Sequence, residues 1–185
     1  MDDQDDLERA ADIRPYALGD DGPLFEAARE SVDDVYPWLP WCHPGYTRAE
    51  AVAWVEMQVE RWGSGAEFQF VIVSPSGRFL GGCGINAVDH EHSYGNMGYW
   101  VRSSATGAGA ATAAVRRVQR WAFENADLER LEIVVAVENT KSASVAERAG
   151  AVREGTLRAR LRLHGRLHDA AVYSFVRADG PGPGN

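Results

Sequence analysis

The residues able to do chemistry gather in a few short stretches. The first is Thr106-Gly107-Ala108-Gly109-Ala110-Ala111. It follows an aromatic and β-branched run, Tyr99-Trp100-Val101, and precedes apolar residues at helical spacing, Ala111, Ala114, Val115, Val118 and Ala122. A strand therefore hands over to a helix through a glycine turn. Glycine opens backbone conformations closed to other residues, and no bulky side chain blocks a ligand. The first N–H groups of a helix lack partners, and the macrodipole adds roughly half a positive charge there. Such a turn suits a phosphate or pyrophosphate; the bland alternative is a tight connection that holds nothing. No Lys followed by Ser or Thr comes after the second glycine, and the third glycine of a dinucleotide fingerprint is missing, so two familiar phosphate loops are excluded.

Other polar groups stand at element ends. Asn139, Thr140 and Ser142 follow the apolar run Leu131 to Val137 and can each cap a helix. The loop Asp89-His90-Glu91-His92-Ser93 offers titratable groups, but two histidines without a clustered cysteine read as a solvated loop rather than a metal site. Tyr36-Pro37-Trp38-Leu39-Pro40-Trp41 either folds over the core or walls an acceptor pocket with its aromatics. Arg158, Arg160 and Arg162 form a basic row, joined by Arg153 or Arg166, in an otherwise acidic chain. The row is either a solvated strand face or an attractor of anions, whether an acidic acceptor or the phosphates of a ligand.

Composition sets the frame for these groups. The 185 residues, 45% hydrophobic and 25% charged, suit one globular domain. A net charge of −8 argues against a general nucleic-acid or anionic-membrane partner. Cys42 and Cys83 have no metal or redox spacing and read as free thiols of a reducing compartment. No apolar run has the length of a membrane span, and the acidic start lacks the features of a signal peptide, so the expectation is a cytoplasmic protein.

The elements follow from periodicity. Residues 1–11 are expected to be a flexible acidic N-terminus, 12–177 a single domain and 178–185 a disordered tail. Asp12 to Tyr16 reads as an edge strand, where proline is tolerated, and Leu24, Ala27, Ala28 and Val32 mark a short helix. Thr47 and Glu50 form a capping box for a helix whose buried face is expected at Val52, Val55, Val59 and Trp62. Strands are expected at Phe68–Val73, Phe79–Val88 and Asn96–Val101, with Gly81, Gly82 and Gly84 marking a bulge or a close backbone approach. Leu131 to Val137 reads as a strand covered on both faces, and Lys141 to Arg148 as a helix ended by Gly150. Leu157, Ala159, Leu161 and Leu163 alternate with the arginines like a half-exposed strand, and Ala170 to Val176 returns beside it. The order β-α-α-β-β-β-α-β-α-β-β predicts an α/β mixed sheet with helices on its faces.

That order, together with Trp38-Leu39-Pro40-Trp41, Gly98-Tyr99-Trp100-Val101, Gly107-x-Gly109, Asn139-x-x-Ser142, Glu147-Arg148-Ala149-Gly150 and Arg153-Glu154-Gly155, resembles the GNAT superfamily of N-acetyltransferases, in its RimJ/RimL branch of ribosomal-protein N-terminal acetyltransferases. The resemblance covers roughly Ile13 to Val176. It implies a central, mostly antiparallel sheet and acetyl-CoA as co-substrate, with no metal. The pantetheine arm would run beside Trp100, Val101 and Arg102, and the pyrophosphate would sit on the turn from Thr106 through Gly107, Ala108, Gly109 and Ala110 to Ala111. By that resemblance an amine would attack the thioester, an amide near Val101 would polarise its oxygen, Ser142, held against the cofactor's sulfur, would protonate the departing thiolate, and Asn139 would bind the pantetheine or orient the site.

The chain also departs from that pattern. Thr106 stands where Gln or Arg is usual in the turn, and Ala108 where a basic residue is frequent. Asn96 replaces a glutamate base of many relatives, and Leu161 a carboxylate of some close ones, so His90, Glu91, His92, Glu138 and Tyr99 remain as weak or water-relayed bases. A substrate pocket would draw on Trp38, Trp41, His90, His92 and Arg160. The leading acceptor is a protein N-terminal α-amine. The alternatives are a small amine such as an aminoglycoside or polyamine, a succinyl-CoA donor, or a non-catalytic acyl-CoA-binding module. Exposed aromatics near Trp38 and Trp41 leave room for a homodimer.

Overall fold

The structure, a computed structural model, describes residues 11–179; the acidic N-terminus and all but the first residues of the C-terminal tail lie outside the described residues. The elements run β1 (Asp12–Pro15), α1 (Asp21–Glu30), α2 (Val32–Val35), α3 (Arg48–Ser64), β2 (Phe68–Val73), β3 (Phe79–Asp89), β4 (Tyr94–Val101), α4 (Ala110–Asn125), β5 (Arg130–Ala136), α5 (Thr140–Ala149), β6 (Val152–Leu163) and β7 (Arg166–Val176). The expected order is present, with the single turn α2 added. Seven strands form one sheet in the order β1-β2-β3-β4-β5-β7-β6. Its neighbours are antiparallel except β4 and β5.

Alternation along the strands sends side chains to opposite faces, so each face needs its own cover. Phe70, Ile72, Ile85, Met97, Leu131 and Ile133 pack with Ala114, Val115 and Val118 of α4 and Ala146 of α5. Val71 and Phe79 pack instead with Leu24 and Ala28 of α1 and Ala51 and Val55 of α3. The local signals work as the sequence predicts. Thr47 and Glu50 close a capping box on α3, Gly65 ends it at φ +72, and Gly150 ends α5 at φ +98.

Some expectations need correction. The inward stripe of α3 is Ala51, Val55 and Gln58, with Trp62 wedged among Phe68, Phe70 and Trp121, while Val59 is 41% exposed. A small residue and a polar one hide that stripe from an apolar count. On β5 the residues Leu131, Ile133 and Val135 are buried beneath α4 and α5, whereas Glu132 and Val134 face a pocket instead of a covering layer. On β6 the alternation breaks, because the step from Leu157 to Leu161 lies opposite the shorter step from Ala170 to His168. The extra residues bulge outward, with Ala159 at φ +51 and its N–H donating to the Asp169 carboxylate at 2.8 Å. Leu157 and Ala159 are therefore exposed, and Leu161 and Leu163 alone turn inward from the expected apolar set.

Candidate active site

The parallel pairing of β4 with β5 is short: Tyr94, Gly95 and Asn96 meet Arg130, Leu131 and Glu132. Beyond it β4 follows β3 as far as Val101 opposite Gly81, while β5 stays with β7. Gly81 allows that approach, since a Cβ there would stand 2.1 Å from the Trp100 carbonyl oxygen. The two strands consequently splay. Between them opens a cleft of about 1350 Å³, lined by Met97 to Val101, Ile133 to Ala136 and the glycine turn, with Trp38, Leu39 and Leu161 on its far side.

The turn meets the cleft as an uncapped helix start. Ser103–Ala105 form a 3-10 turn, Gly107 and Gly109 take φ +86 and +91, and α4 begins at Ala110. The first helical bond runs from the Ala113 N–H to the Gly109 carbonyl at 3.0 Å, so the amides before Ala113 point outward unpaired. No side chain caps this end and no acid lies in its first turn, whereas α3 and α5 are both capped by side chains. The positive end of α4 is left for an external anion. Lys141, Arg116, Arg117, Arg120 and Arg148 line the same cleft. Sequence reading missed these cations. Arg116 and Arg120 lie one helical turn apart, which could have flagged them, but Arg148 joins them only because Arg116 donates to its carbonyl at 2.6 Å.

Tyr99 and Ser142 meet across the splay. The Ser142 hydroxyl donates to the Tyr99 phenol oxygen at 3.1 Å, and the phenol donates to the Ser142 carbonyl at 2.8 Å. Burial pushes the Tyr99 phenol well above its ordinary range, outweighing the Ser142 hydroxyl. As held here the phenol spends its proton on the Ser142 carbonyl. Asn139 caps α5 by accepting the Ser142 amide at 3.1 Å. Its side chain thus fixes the serine's backbone.

The structure separates other expected residues from the cleft. Arg102 turns away: its guanidinium binds Glu30 of α1 and the Phe79 carbonyl, and its amide donates to Leu80 at 2.8 Å. Trp41 is not part of the lining and meets Trp100 and Tyr46 edge to face, with ring centroids 5.2 and 5.5 Å away. His90 and His92 stay in the loop after β3, where His92 pairs with Asp89 at 3.1 Å, and neither histidine lines a cavity. Glu138 is exposed beside His168 at 3.5 Å. Arg160 lines a second pocket, of about 330 Å³, with Asn86, Tyr94, Asn96, Glu132 and Leu161. Glu132 escaped the sequence reading because it is embedded in an apolar strand. Among the described residues, no cluster of three His, Cys, Asp or Glu side chains could hold a metal ion.

The model of the acetyltransferase (GNAT) domain matches residues 12–152. The chain belongs to the GNAT acetyltransferase family. "Putative ribosomal N-acetyltransferase YdaF" of Bacillus subtilis (strain 168) is 35% identical over 106 residues, and the match spans 57% of this chain and 58% of that protein. Among solved structures, Mycobacterium smegmatis RimJ in complex with CoA-disulfide superposes with a TM-score of 0.87 at 26% identity, covering 95% of this chain and 86% of that one. RimL, a ribosomal L7/L12 alpha-N-protein acetyltransferase in complex with coenzyme A, superposes with a TM-score of 0.83 at 20% identity, covering 90% and 93%. The splayed sheet of this GNAT chain is thus the fold of those structures, and no helix among the described residues is long and apolar enough to cross a membrane.

Proposed function

We propose that residues 12–177 form one acyltransferase domain that moves an acetyl group from acetyl-CoA to the α-amine of a polypeptide. The observation that carries this reading is the uncapped, acid-free start of α4 at the mouth of a cleft cut between splayed strands. A pyrophosphate fits there. The amides of the turn would hold it, and Arg116, Arg120 and Arg148 supply charge that Thr106 and Ala108 do not. Along the exposed edge of β4, unpaired with β5 past Asn96, the pantetheine amides find strand partners near Trp100 and Val101.

The thioester sulfur is then directed towards Tyr99 and Ser142. A thiolate takes a proton near pH 8.5 and a phenol gives one up near 10, so full transfer from Tyr99 is uphill by about 2 kcal/mol before burial widens the gap. The Ser142 hydroxyl, which in the free protein donates to Tyr99, would therefore turn to the departing thiolate as a hydrogen-bond donor, and the thiol proton comes from water. An α-amine needs only about 1 kcal/mol to lose its proton at pH 7, against roughly 4 to 5 kcal/mol for a lysine. That difference favours the N-terminal amine in a cleft without a carboxylate at positions 96 and 161. The test is CoA release from acetyl-CoA with peptides, polyamines and aminoglycosides. Turnover on free peptides that stops when the α-amine is blocked is the expected result, and turnover confined to polyamines or aminoglycosides refutes the reading.

A further inference from the structure

The second pocket lies on the sheet face opposite the core that α4 and α5 cover. It abuts the cleft, since Val134 and Leu161 line both. Its wall is polar: Asn86, Tyr94 and Asn96 on one side, Glu132 and Arg160 on the other. Glu132 sits where the pairing of β4 and β5 ends, opposite Asn96. Arg130 bonds its Oε1 at 2.9 Å, and Oε2 has no hydrogen-bond partner among the described residues. Arg130 does not depend on that bond, because both of its Nη atoms donate to the Glu154 carboxylate. Asn96 commits its amide nitrogen to Asn86 at 2.9 Å, and its own Oδ1 accepts no hydrogen bond from the described residues. Glu132 and Asn96 line one small space, each with an oxygen that receives no donor among the described residues. An ammonium supplies the N–H groups they lack.

The pocket wall also carries the opposite charge, at Arg160, and Arg158 and Arg166 belong to the same β6–β7 hairpin. Arg158, Arg160 and Arg166 have no carboxylate partner among the described residues, in a chain of net charge −8. A pocket that offers a carboxylate and a guanidinium together fits a polypeptide with a free α-ammonium and acidic residues just behind it. Polyamines and aminoglycosides would meet the arginines as like charges.

We propose that this pocket is the acceptor subsite, in which Glu132 holds and deprotonates the α-ammonium and Arg160 selects N-termini whose following residues are acidic. The proposal rests on the acyl transfer proposed above. Tyr99 lies three residues past Asn96, about 10 Å along the strand, so the proton of an amine poised at the thioester passes to Glu132 through relayed water rather than directly. Glu132 takes one ammonium proton by that water. The freed lone pair forms the C–N bond, the C–S bond breaks as the adduct collapses, and the second nitrogen proton passes to water. Water returns a proton to the CoA thiolate, and Glu132 releases its own to solvent.

The experiment measures kcat and KM with acetyl-CoA for three peptides of one N-terminal residue, followed by acidic, neutral or basic residues. It compares the wild type with Glu132→Gln, Glu132→Asp and Arg160→Ala. The wild type is expected to favour the acidic peptide, Glu132→Gln to lower kcat about a hundredfold on all three, and Glu132→Asp to recover part of that loss. Arg160→Ala is expected to raise KM for the acidic peptide about tenfold and so level the three. A purely structural Glu132 would lower the melting temperature and leave kcat per folded molecule intact. Wild-type turnover of peptides with kcat unmoved in Glu132→Gln, or an acidic preference kept in Arg160→Ala, overturns the subsite and leaves α-amine transfer standing. Transfer to polyamines or aminoglycosides with none to any peptide removes both.

Discussion

Replacing Gly107 by alanine isolates the part of the glycine turn that depends on backbone conformation. Gly107 sits at φ +86, and a Cβ built there meets nothing within 4 Å, so the substitution strains the backbone without a clash. An L-residue in this region costs about 1–2 kcal/mol. Loss of glycine's freedom in the unfolded chain returns about 0.4–1 kcal/mol. The net destabilisation is then about 1 kcal/mol, a melting shift of about 2–4 °C for a domain of this size. If the turn cradles the pyrophosphate, the backbone shift that the methyl group forces also misaims amide donors at the anion and weakens a charge-assisted hydrogen bond. CoA affinity should fall about tenfold, since 1.4 kcal/mol is a factor of ten. Gly77 provides the matched control: it stands at φ +82 in the β2–β3 hairpin, also with nothing within 4 Å of its Cβ, and outside the cleft lining. Calorimetric titration with CoA and thermal melts of both variants separate the effects. Gly77→Ala should lose similar stability and bind CoA like the wild type. Equal CoA affinity in Gly107→Ala and the wild type would refute the cradle.

Tyr99→Phe and Ser142→Ala should each lower kcat about tenfold, the scale of one hydrogen bond to a charged group, with little change in the CoA dissociation constant by titration. An unchanged kcat in both would remove the hydroxyl pair from the reaction. Burial pushes the Cys42 thiol up to about 11, and Cys83 also upward, so a colourimetric thiol reagent at pH 8 should label neither in the native protein and both in denaturant. Rapid native labelling would contradict their burial. The Arg102 guanidinium holds the Glu30 carboxyl at about 2, below its ordinary 4.5, and Arg130 holds Glu154 at about 2 as well. A depressed carboxyl stabilises the fold above its unfolded pKa and loses that contribution as pH falls towards its folded one, so stability should decline from about pH 4.5 down to about 2. Urea melts of Glu30→Gln across that range should show a shallower decline, with Glu154 supplying the remainder. An unaltered slope would mean that the Glu30–Arg102 pair contributes nothing.

The sequence by itself determined what is local. Thr47 with Glu50, Asn139 before α5, Gly150 after it, and the apolar stripe of α4 act through neighbours a few residues away, and they stand in the structure as their spacing predicts. The glycine turn and the order of elements were legible for the same reason, and with them the family. Only the tertiary structure decided where the strands part, because register is settled between segments distant in sequence: β4 is held to β3 by the approach at Gly81, and β5 to β7. That parting makes the cleft. It also brings Tyr99 to Ser142 and sets the cations of α4 and α5 around one space. Glu132 and Arg160 share a pocket for a similar reason. A carboxylate inside an apolar run and an arginine on a bulged edge strand carry no local sign of each other, and only the curl of the sheet brings them together.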